Sequence, residues 1–311
     1  MSRRALITGA SGFIGRALTE RLLNDGWGVI AVGRDPLHLP HATEQIGVAR
    51  YDDATLAKAL AGRQADLIFH LAAYGVAPGQ RDPDLMFDVN VAGTSAMVRA
   101  AKLVGARALV YAGSSAEYAE APSGMAITED YPLTTRALYG ASKAAGGLWA
   151  RAMAAREGIS FQWLRVFGVY GPGEAPHRLL PAIATKLARD ETVDLSPGNQ
   201  IRDLLYIDDV VSALVLGAEA ALAGEEGPFN LCSGQPVSVR DVAIAVADAL
   251  GKPRDKLIFG AIPYRPDENL WLLGDGTRLM NATAFQPKFD LALGIRHFID
   301  KFAPVHTEGA A

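Results

Sequence analysis

Short apolar runs alternate with amphipathic stretches along the first half of the chain. The runs show little alternation of polar and apolar residues, which is typical of strands buried on both faces of a parallel sheet. The stretches between them repeat apolar residues at helical spacing. We therefore predict a doubly wound α/β fold, with helices on both faces of a parallel sheet. The predicted strands are Ala5–Thr8, Gly28–Gly33, Leu67–Leu71, Ala108–Ala112 and Phe161–Val166, and the predicted helices are Arg16–Asn24, Leu85–Leu103 and Tyr139–Arg156.

The pattern loosens after residue 171, where glycine and proline recur between helices predicted at 179–189, 208–221 and 239–250. We expect residues 1–171 to form the sheet domain, with segments near 202–232 returning to it. Residues 172–201 and 233–311 are expected to form most of a smaller C-terminal lobe that binds a substrate. A length of 311 residues agrees with this division, because a single core rarely grows that large.

A glycine-rich turn, Thr8-Gly9-Ala10-Ser11-Gly12-Phe13-Ile14-Gly15, joins the first predicted strand to the first helix. Three glycines alone would fit any strand–turn–helix bend, but this context is typical of a dinucleotide site. The first glycine allows the tight turn, the second lets backbone approach the pyrophosphate, and the third lets the helix pack on the strand. The phosphates would lie at the helix N terminus. The predicted contacts are Gly9, Ser11, Gly12, Phe13, Ile14 and Gly15.

The end of the second predicted strand bears on the choice of dinucleotide. A carboxylate usually binds the ribose hydroxyls of NAD there, but Gly33 and Arg34 occupy this position. Because a guanidinium binds a 2′-phosphate well, we favour NADP(H) over NAD(H). The alternative is that Arg34 is a solvated surface residue and that Asp35 binds the ribose of NAD.

Further cofactor contacts are expected where later strands end. Tyr51-Asp52-Asp53 closes a predicted third strand, and Asp52 would bind the adenine amino group, although capping of the next helix is an equally good use. The small residues of Leu71-Ala72-Ala73 would let the nicotinamide half pass close to backbone. Asn90, unusual in the middle of a helix, is expected to bridge two strand ends.

Tyr139 and Lys143 are spaced i, i+4, so they share one face of a predicted helix. A free tyrosine has a pKa of about 10. A neighbouring ammonium would stabilise the phenolate and lower this pKa, which suits a general acid or base. Ser114 follows a strand, and ligands bind at the carboxyl ends of parallel strands, so Ser114 is expected to bind a substrate oxygen. These residues predict nicotinamide-dependent chemistry at a carbon bearing a hydroxyl or a ketone.

Composition argues against several classes of protein. A net charge of −4 and a pI near 5.9 give no reason to expect a nucleic-acid partner. Cys232 is the single cysteine, and the six histidines are scattered, so we expect neither disulfides nor a metal site. No apolar run has the length of a signal peptide or a membrane span. We therefore expect a cytoplasmic protein with no membrane contact.

Taken together, these motifs resemble the extended short-chain dehydrogenases/reductases that act as nucleotide-sugar epimerases, dehydratases and ketoreductases. The resemblance covers nearly the whole chain, including Arg202–Val210 and Asn230–Gly234. It implies a Rossmann domain in which Tyr139 is the general acid/base, Lys143 tunes it and binds the nicotinamide ribose, and Ser114 orients the sugar oxygen.

The same resemblance implies a nucleoside-diphosphate sugar as substrate and a homodimer formed through the two long helices. Arg202 and Arg265 match the family's phosphate-binding arginines, and each could clamp a phosphate at two points. An ion pair of Arg202 with a nearby aspartate is the alternative. Arg178 is a weaker candidate for the diphosphate, and Ser115 is a further candidate contact.

Departures from the family pattern bear on the reaction. The 4,6-dehydratases carry an acid pair between the catalytic Ser/Thr and the next tyrosine, whereas here Glu117 alone is acidic and directly precedes Tyr118. A dehydratase is therefore disfavoured. Epimerases usually carry the acid that Gly33 and Arg34 replace, and the stretch around Ser114 resembles 4-keto-6-deoxyhexose reductases.

We predict NADPH-dependent reduction of the C4 ketone of a nucleotide-linked 4-keto-6-deoxy sugar, with Tyr139 as proton donor. An NAD-dependent nucleotide-sugar 4-epimerase is the first alternative. A non-catalytic NADP-binding sensor of the same fold is the second.

Overall fold

A computed structural model describes residues 3–34, 39–40, 43–265 and 268–302. The strands are β1 Arg4–Thr8, β2 Gly28–Gly33, β3 Thr43–Gly47, β4 Leu67–His70, β5 Ala108–Ser114, β6 Ser160–Val166, β7 Gly168–Tyr170, β8 Val193–Leu195, β9 Ile201–Tyr206, β10 Phe229–Leu231, β11 Pro236–Ser238 and β12 Leu257–Phe259. The helices are α1 Phe13–Asn24, α2 Asp53–Leu60, α3 Pro83–Phe87, α4 Gly93–Val104, α5 Leu138–Glu157, α6 Leu179–Ala188, α7 Ile207–Leu222, α8 Val239–Ala249, α9 Thr277–Thr283 and α10 Leu291–Asp300.

Seven strands form one parallel sheet in the order β10-β6-β5-β4-β1-β2-β3. Alternate residues of β1 face two different cores: Ala5 and Ile7 pack with helices α1 and α7, whereas Leu6 packs with α2, α4 and α5. Burial on both faces explains why the strands are apolar throughout. The predicted doubly wound Rossmann fold is therefore confirmed. None of the helices in these ranges is both long and apolar enough to cross a membrane.

The second half returns to the sheet differently from the expectation. β10 extends the main sheet beside β6. α7 packs on the same sheet, where the Gln162 side chain of β6 donates to the Gly217 carbonyl of α7 at 3.0 Å. β9, however, pairs with β7 and β11 in a separate three-stranded sheet. β8 and β12 form a third, two-stranded sheet. The division into two lobes stays a prediction.

Two predicted elements have different bounds. β3 ends at Gly47 instead of reaching Tyr51–Asp53, because the Asp52 carboxylate accepts from the Thr55 N–H at 2.8 Å and starts α2 there. The helix predicted at 85–103 is interrupted by a π-helical segment at Asp88–Ala92, which joins α3 to α4. Such π segments are frequent at functional sites.

The close contact between this π segment and α5 depends on Gly146. A Cβ built at residue 146 would lie 2.1 Å from the backbone oxygen of Asn90, which no pair of atoms tolerates. Glycine inside a helix costs about 1 kcal/mol relative to alanine, so its presence here reflects packing. The helix that carries Tyr139 and Lys143 is thereby held against the segment that carries Asn90.

We predict that Gly146→Ala destabilises the protein by about 1–3 kcal/mol, because the steric clash outweighs the gain in helix propensity. Thermal melting would measure this as a lower melting temperature. Gly47→Ala is the control, since no heavy atom lies within 4 Å of a Cβ built there and its melting temperature should be unchanged. A Gly146→Ala protein at least as stable as the wild type would contradict the packing described here.

Candidate active site

A cavity of about 230 Å³ lies where β1, β2 and β4 end. It is lined by eleven residues, namely Gly9, Ala10, Ser11, Gly12, Gly33, Arg34, Tyr51, Leu71, Ala72, Ala73 and Val89. Seven of the predicted cofactor contacts are among them: Gly9, Ser11, Gly12, Arg34, Leu71, Ala72 and Ala73. The carboxyl edge of a parallel sheet is where this fold binds dinucleotides, so the cavity has the expected position.

The backbone of the glycine turn fits a dinucleotide phosphate. Gly9 has a φ of +71°, and a Cβ there would lie 2.8 Å from the Ala72 nitrogen. A Cβ at Gly15 would lie 2.1 Å from the Gly9 oxygen, so α1 packs on the turn only because residue 15 is glycine. Gly12 is the N-cap of α1, and no side chain accepts a capping hydrogen bond there. The start of α1 is therefore suited to an anion.

Phe13, Ile14 and Asp52 are predicted cofactor residues that are not among those lining the cavity. Phe13 and Ile14 form the first turn of α1 and pack partly against the core. The Asp52 carboxylate caps α2 through one oxygen, and contact with adenine stays a prediction. Arg34 is exposed at the cavity rim, whereas Asp35 lies outside the described residues.

Tyr51 is a lining residue that the sequence reasoning passed over in favour of its acidic neighbour. Its hydroxyl donates to the Val32 carbonyl at 3.3 Å, and burial raises its pKa to about 12. The tyrosine therefore stays protonated and holds the end of β2 in place. The sequence offered one signal for Tyr51: it is an aromatic residue that follows a strand expected to be buried.

His70 joins the end of β1, just before the glycine turn, to α4. Its Nδ1 is hydrogen-bonded to the Thr8 hydroxyl at 2.7 Å, and its Nε2 to the Thr94 hydroxyl at 3.1 Å. Burial, aided by the charge of Lys143, lowers the pKa of His70 to about 3, so the imidazole is neutral. Thr8 directly precedes Gly9, and Lys143 is near enough to act on this ring. The two sequence signals therefore meet at one buried side chain.

The Ser114 hydroxyl lies near enough to the Tyr139 phenol to affect its pKa. Burial raises the pKa of Tyr139 to about 12. A hydrogen bond with Ser114 and the charge of the Arg178 guanidinium both oppose this rise. The expectation that the phenol's pKa is lowered is therefore wrong for the protein alone, because burial outweighs the effects of Ser114 and Arg178. In this state Tyr139 is a proton donor.

Lys143 is 1% exposed, and its ammonium lies 4.1 Å from the centre of the Tyr111 ring. Its nitrogen has no hydrogen-bond partner among the described residues. Burial lowers the pKa of Lys143 to about 8, and the charge of Glu117 opposes this shift. An ammonium without acceptors beneath a cofactor cavity fits the predicted role of binding ribose hydroxyls.

Asn90 connects a loop to α5 and does not bridge two strand ends. Its amide nitrogen donates to the Tyr74 carbonyl at 2.8 Å and to the Ser142 hydroxyl at 2.9 Å, while its oxygen accepts from the Tyr74 N–H at 2.9 Å. The π segment turns this side chain towards the catalytic helix. Asn90 thus fixes the loop after β4 next to Tyr139.

The three candidate phosphate-binding arginines differ in their partners and in their exposure. Arg202 forms a short ion pair with Glu268 and donates to the Asn269 carbonyl at 2.8 Å. Arg265 is exposed and close enough to lower the pKa of Arg202. Arg178 is exposed and pairs with Glu174 at 3.5 Å. Glu268 was not foreseen, because the sequence reasoning paired Arg202 only with nearby aspartates.

Glu117 and Ser115 are buried in a short 3₁₀ turn after β5. The Glu117 carboxylate binds the Arg165 guanidinium at 2.9 Å and the Ser114 N–H at 2.8 Å, so both oxygens are occupied. It is therefore not placed as the acid that a dehydratase needs at the sugar. The Ser115 contact with substrate stays a prediction. Within the described ranges, no three His, Cys, Asp or Glu side chains gather to hold a metal ion.

The fold and this site define an extended short-chain dehydrogenase/reductase. Residues 5–232 match the NAD dependent epimerase/dehydratase family, and the chain belongs to this family. It is 32% identical to the UDP-glucose 4-epimerase of Mycolicibacterium smegmatis, over 96% of this chain and 98% of that one. It is 29% identical to the dTDP-glucose 4,6-dehydratase of Streptomyces griseus, over 95% and 92% of the two chains. The UDP-glucose 4-epimerase of Thermus thermophilus, in complex with NAD, superimposes with a TM-score of 0.85 at 29% identity, over 96% and 98% of the chains.

Proposed function

We propose that the protein is an NAD-dependent 4-epimerase of a nucleoside-diphosphate hexose. The observation that carries this proposal is that the Ser114 hydroxyl lies near the Tyr139 phenol, while Lys143, on the same helix as Tyr139, is buried with no hydrogen-bond partner among the described residues. Similarity to two UDP-glucose 4-epimerases over nearly the whole chain favours this reaction over the reduction that the sequence alone suggested. The occupied carboxylate of Glu117 argues against a dehydratase.

The chain's own residues would move one proton and hold the sugar in place. The bound nicotinamide ring would supply the hydride chemistry at C4. Tyr139 would take the proton from the C4 hydroxyl as the alcohol is oxidised and return it when the ketone is reduced. Ser114 would donate a hydrogen bond to the same oxygen. The charge of Lys143 would favour the phenolate that must be present before the alcohol is oxidised and that forms again once the ketone is reduced.

The diphosphate would bind in the C-terminal lobe between Arg202 and Arg265. Arg202 lies on β9 and is paired with Glu268. To bind the diphosphate, its guanidinium would have to leave Glu268 or bind both groups. Guanidinium groups bind phosphates at two points, which would fix the sugar in front of Tyr139. Arg178 is close enough to Tyr139 to contact the sugar itself.

A second candidate is the NADPH-dependent 4-ketoreductase, and the exposed Arg34 at the rim of the cofactor cavity favours it. An epimerase keeps its cofactor oxidised between turnovers, whereas a reductase consumes NADPH. Arg34 would suit the 2′-phosphate of that cofactor. Location in the cytoplasm belongs to both candidates as a prediction.

We further propose a homodimer in which α4 and α5 face the same helices of a second copy. Four large apolar side chains on these helices are exposed by half or more: Leu103 at 50%, Leu138 at 62%, Leu148 at 55% and Trp149 at 59%. Exposed apolar groups of this size on adjacent helices are typical of an interface. Pairing of the same surfaces would bury them in both copies.

Incubation with UDP-glucose is expected to yield UDP-galactose without net consumption of NADH or NADPH. Tyr139→Phe should lower this turnover by about 10²- to 10⁴-fold and leave cofactor binding intact, because only the proton carrier is lost. Tyr131→Phe is the control, since this hydroxyl bonds to the Glu120 carbonyl elsewhere. Oxidation of NADPH by a 4-keto-6-deoxy sugar nucleotide without epimerisation would instead select the ketoreductase. No turnover in either assay would select the sensor.

Arg34→Ser is expected to weaken NADPH binding by about 10- to 100-fold and to leave NADH binding unchanged, because only NADPH carries the 2′-phosphate. Nicotinamide fluorescence would measure both dissociation constants. Arg50→Ser is the control, since Arg50 pairs with Asp88 at the surface. Tighter binding of NADH by the wild type would support the epimerase. An equal loss for both cofactors would show that Arg34 does not contact the 2′ position.

Light scattering coupled to gel filtration is expected to give twice the chain mass of 32.9 kDa. Trp149→Glu should shift the protein towards a monomer, because a charge would be buried in the interface. Ile258→Glu, an exposed apolar position on β12, is the control. A wild-type monomer at all concentrations would contradict the proposed dimer.

A further inference from the structure

Glu117 is a fully buried carboxylate directly beside the catalytic residues, with 0% exposure. A buried carboxylate is costly unless hydrogen bonds and an opposite charge compensate for the lost hydration. Here three donors surround it: the Ser114 N–H at 2.8 Å, the Trp163 indole N–H at 3.3 Å and the Arg165 guanidinium at 2.9 Å. Burial raises the pKa of Glu117, and the Arg165 charge and these hydrogen bonds oppose that rise; from the ion pair with Arg165 we infer that the carboxylate is ionised.

One oxygen of Glu117 controls the backbone at Ser114. The Ser114 N–H donates to this carboxylate, and the Ser114 hydroxyl in turn accepts from the Ala116 N–H at 3.2 Å. The two bonds form a capping box around the 3₁₀ turn Ser115–Glu117. The direction in which Ser114 presents its hydroxyl to Tyr139 is therefore set from below by Glu117.

The other oxygen ties this turn to the neighbouring strand β6. Arg165 bonds to Glu117 and also donates to the Tyr118 hydroxyl at 2.9 Å. The space for the carboxylate depends on Gly113, because a Cβ there would lie 2.6 Å from the Glu117 oxygen and 2.4 Å from the Trp163 indole nitrogen. The sequence thus leaves out a side chain where the acid needs room.

The charge of Glu117 also acts on Lys143. The groups that contact Lys143 or interact with its charge are the Tyr111 ring at 4.1 Å, the neutral His70 and Glu117. Glu117 is the one carboxylate among them. The other charged groups on elements packed against α5 are paired elsewhere or exposed. Arg165 pairs with Glu117, Arg99 with Asp53, Lys102 with Glu157 and Asp88 with Arg50, and Asp84 on α3 is exposed.

We propose that Glu117 is a positioning residue of the active site: it orients Ser114 through its backbone N–H and supplies the buried negative charge that keeps Lys143 protonated. The part that concerns Ser114 rests on the proposed function, whereas the part that concerns Lys143 does not. Glu117 would touch neither sugar nor cofactor.

The titration of the Lys143 amine tests the charge directly and needs neither substrate nor cofactor. NMR of protein labelled with ¹³C- and ¹⁵N-lysine would follow it, with Lys143→Met assigning the signal. The wild-type amine is expected to titrate near pH 8. Glu117→Gln should lower that midpoint by about one pH unit or more, because the opposing charge is lost. An unchanged midpoint would overturn the electrostatic part.

Glu129→Gln is the matched control. Glu129 is also buried, and its carboxylate accepts from the Asn230 N–H at 2.8 Å, but its charge is not among those acting on Lys143. In the Glu129→Gln variant, the titration midpoint of the Lys143 amine should equal that of the wild type. If Glu129→Gln moves the midpoint as far as Glu117→Gln does, the effect is general to buried acids and the specific role is wrong.

The double variant Glu117→Gln/Arg165→Gln guards against misfolding, because removal of both members of a buried ion pair costs far less than removal of one. Its melting temperature should lie above that of Glu117→Gln, and its Lys143 midpoint should remain low. Recovery of the wild-type midpoint would contradict the proposal, since the unpaired Arg165 would then have caused the shift.

Turnover tests the orientation of Ser114. Glu117→Gln should lower kcat at least tenfold with little change in KM, and the decline of activity at high pH should begin at lower pH than in the wild type. Glu117→Asp restores the charge but not the reach to the Ser114 N–H, so it should recover the pH profile and not the full kcat. Wild-type kcat in Glu117→Gln would overturn this part. A wild type inactive on every nucleotide sugar would refute the proposed function, and the lysine titration would still decide the electrostatic part.

Discussion

The active site depends on the buried hydrogen bonds of His70. This imidazole joins the Thr8 hydroxyl at the end of β1 to the Thr94 hydroxyl on α4, and it lies close to the Lys143 ammonium. A parallel sheet brings the carboxyl ends of its strands to one edge, but it does not fix their side chains. His70 does so here, because a neutral ring with both nitrogens bonded allows one arrangement. The start of the glycine turn is therefore tied to α4, which in turn packs on α5.

Burial has the largest effect on the pKa values of Tyr139 and Lys143. The same loss of hydration raises the pKa of Tyr139 and lowers that of Lys143, so each group's neutral form is favoured. Nearby charges can then decide which group holds a proton. Glu117 acts on both groups, and its own charge is secured by Arg165 on the next strand. Chemistry at the cleft thus depends on an ion pair one layer below it.

Local sequence was sufficient for the features that depend on local geometry. The spacing of Gly9, Gly12 and Gly15 predicted the bend between β1 and α1, and the spacing of Tyr139 and Lys143 predicted that both lie on one helix. The partners that tune these residues lie far away along the chain: Glu117 and Arg165 are 48 positions apart, and Arg202 and Glu268 are 66 apart. Such pairs are set by strand order, which no local pattern encodes. The same limitation explains why Asn90 was assigned to strand ends, when the π segment turns it towards α5.

Similarity to UDP-glucose 4-epimerases, more than the geometry of the site, favours an epimerase over a reductase. Arg34 and the stretch around Ser114 pointed to a reductase, but both lie where relatives of one fold differ easily, at a cavity rim and in a turn. The residues that handle the proton are the same for either reaction. The distinction therefore depends on whether the cofactor stays bound through a full cycle, which is a property of affinity.

A crystal structure with NAD and UDP-glucose bound is the most direct measurement of the central claim. The account predicts that the Tyr139 and Ser114 hydroxyls both bond to the sugar O4, and that C4 lies about 3–3.5 Å from the reactive carbon of the nicotinamide. It also predicts that the pyrophosphate lies against Gly9 and Gly12. A nicotinamide ring far from Tyr139, with the phenol facing solvent, would contradict it.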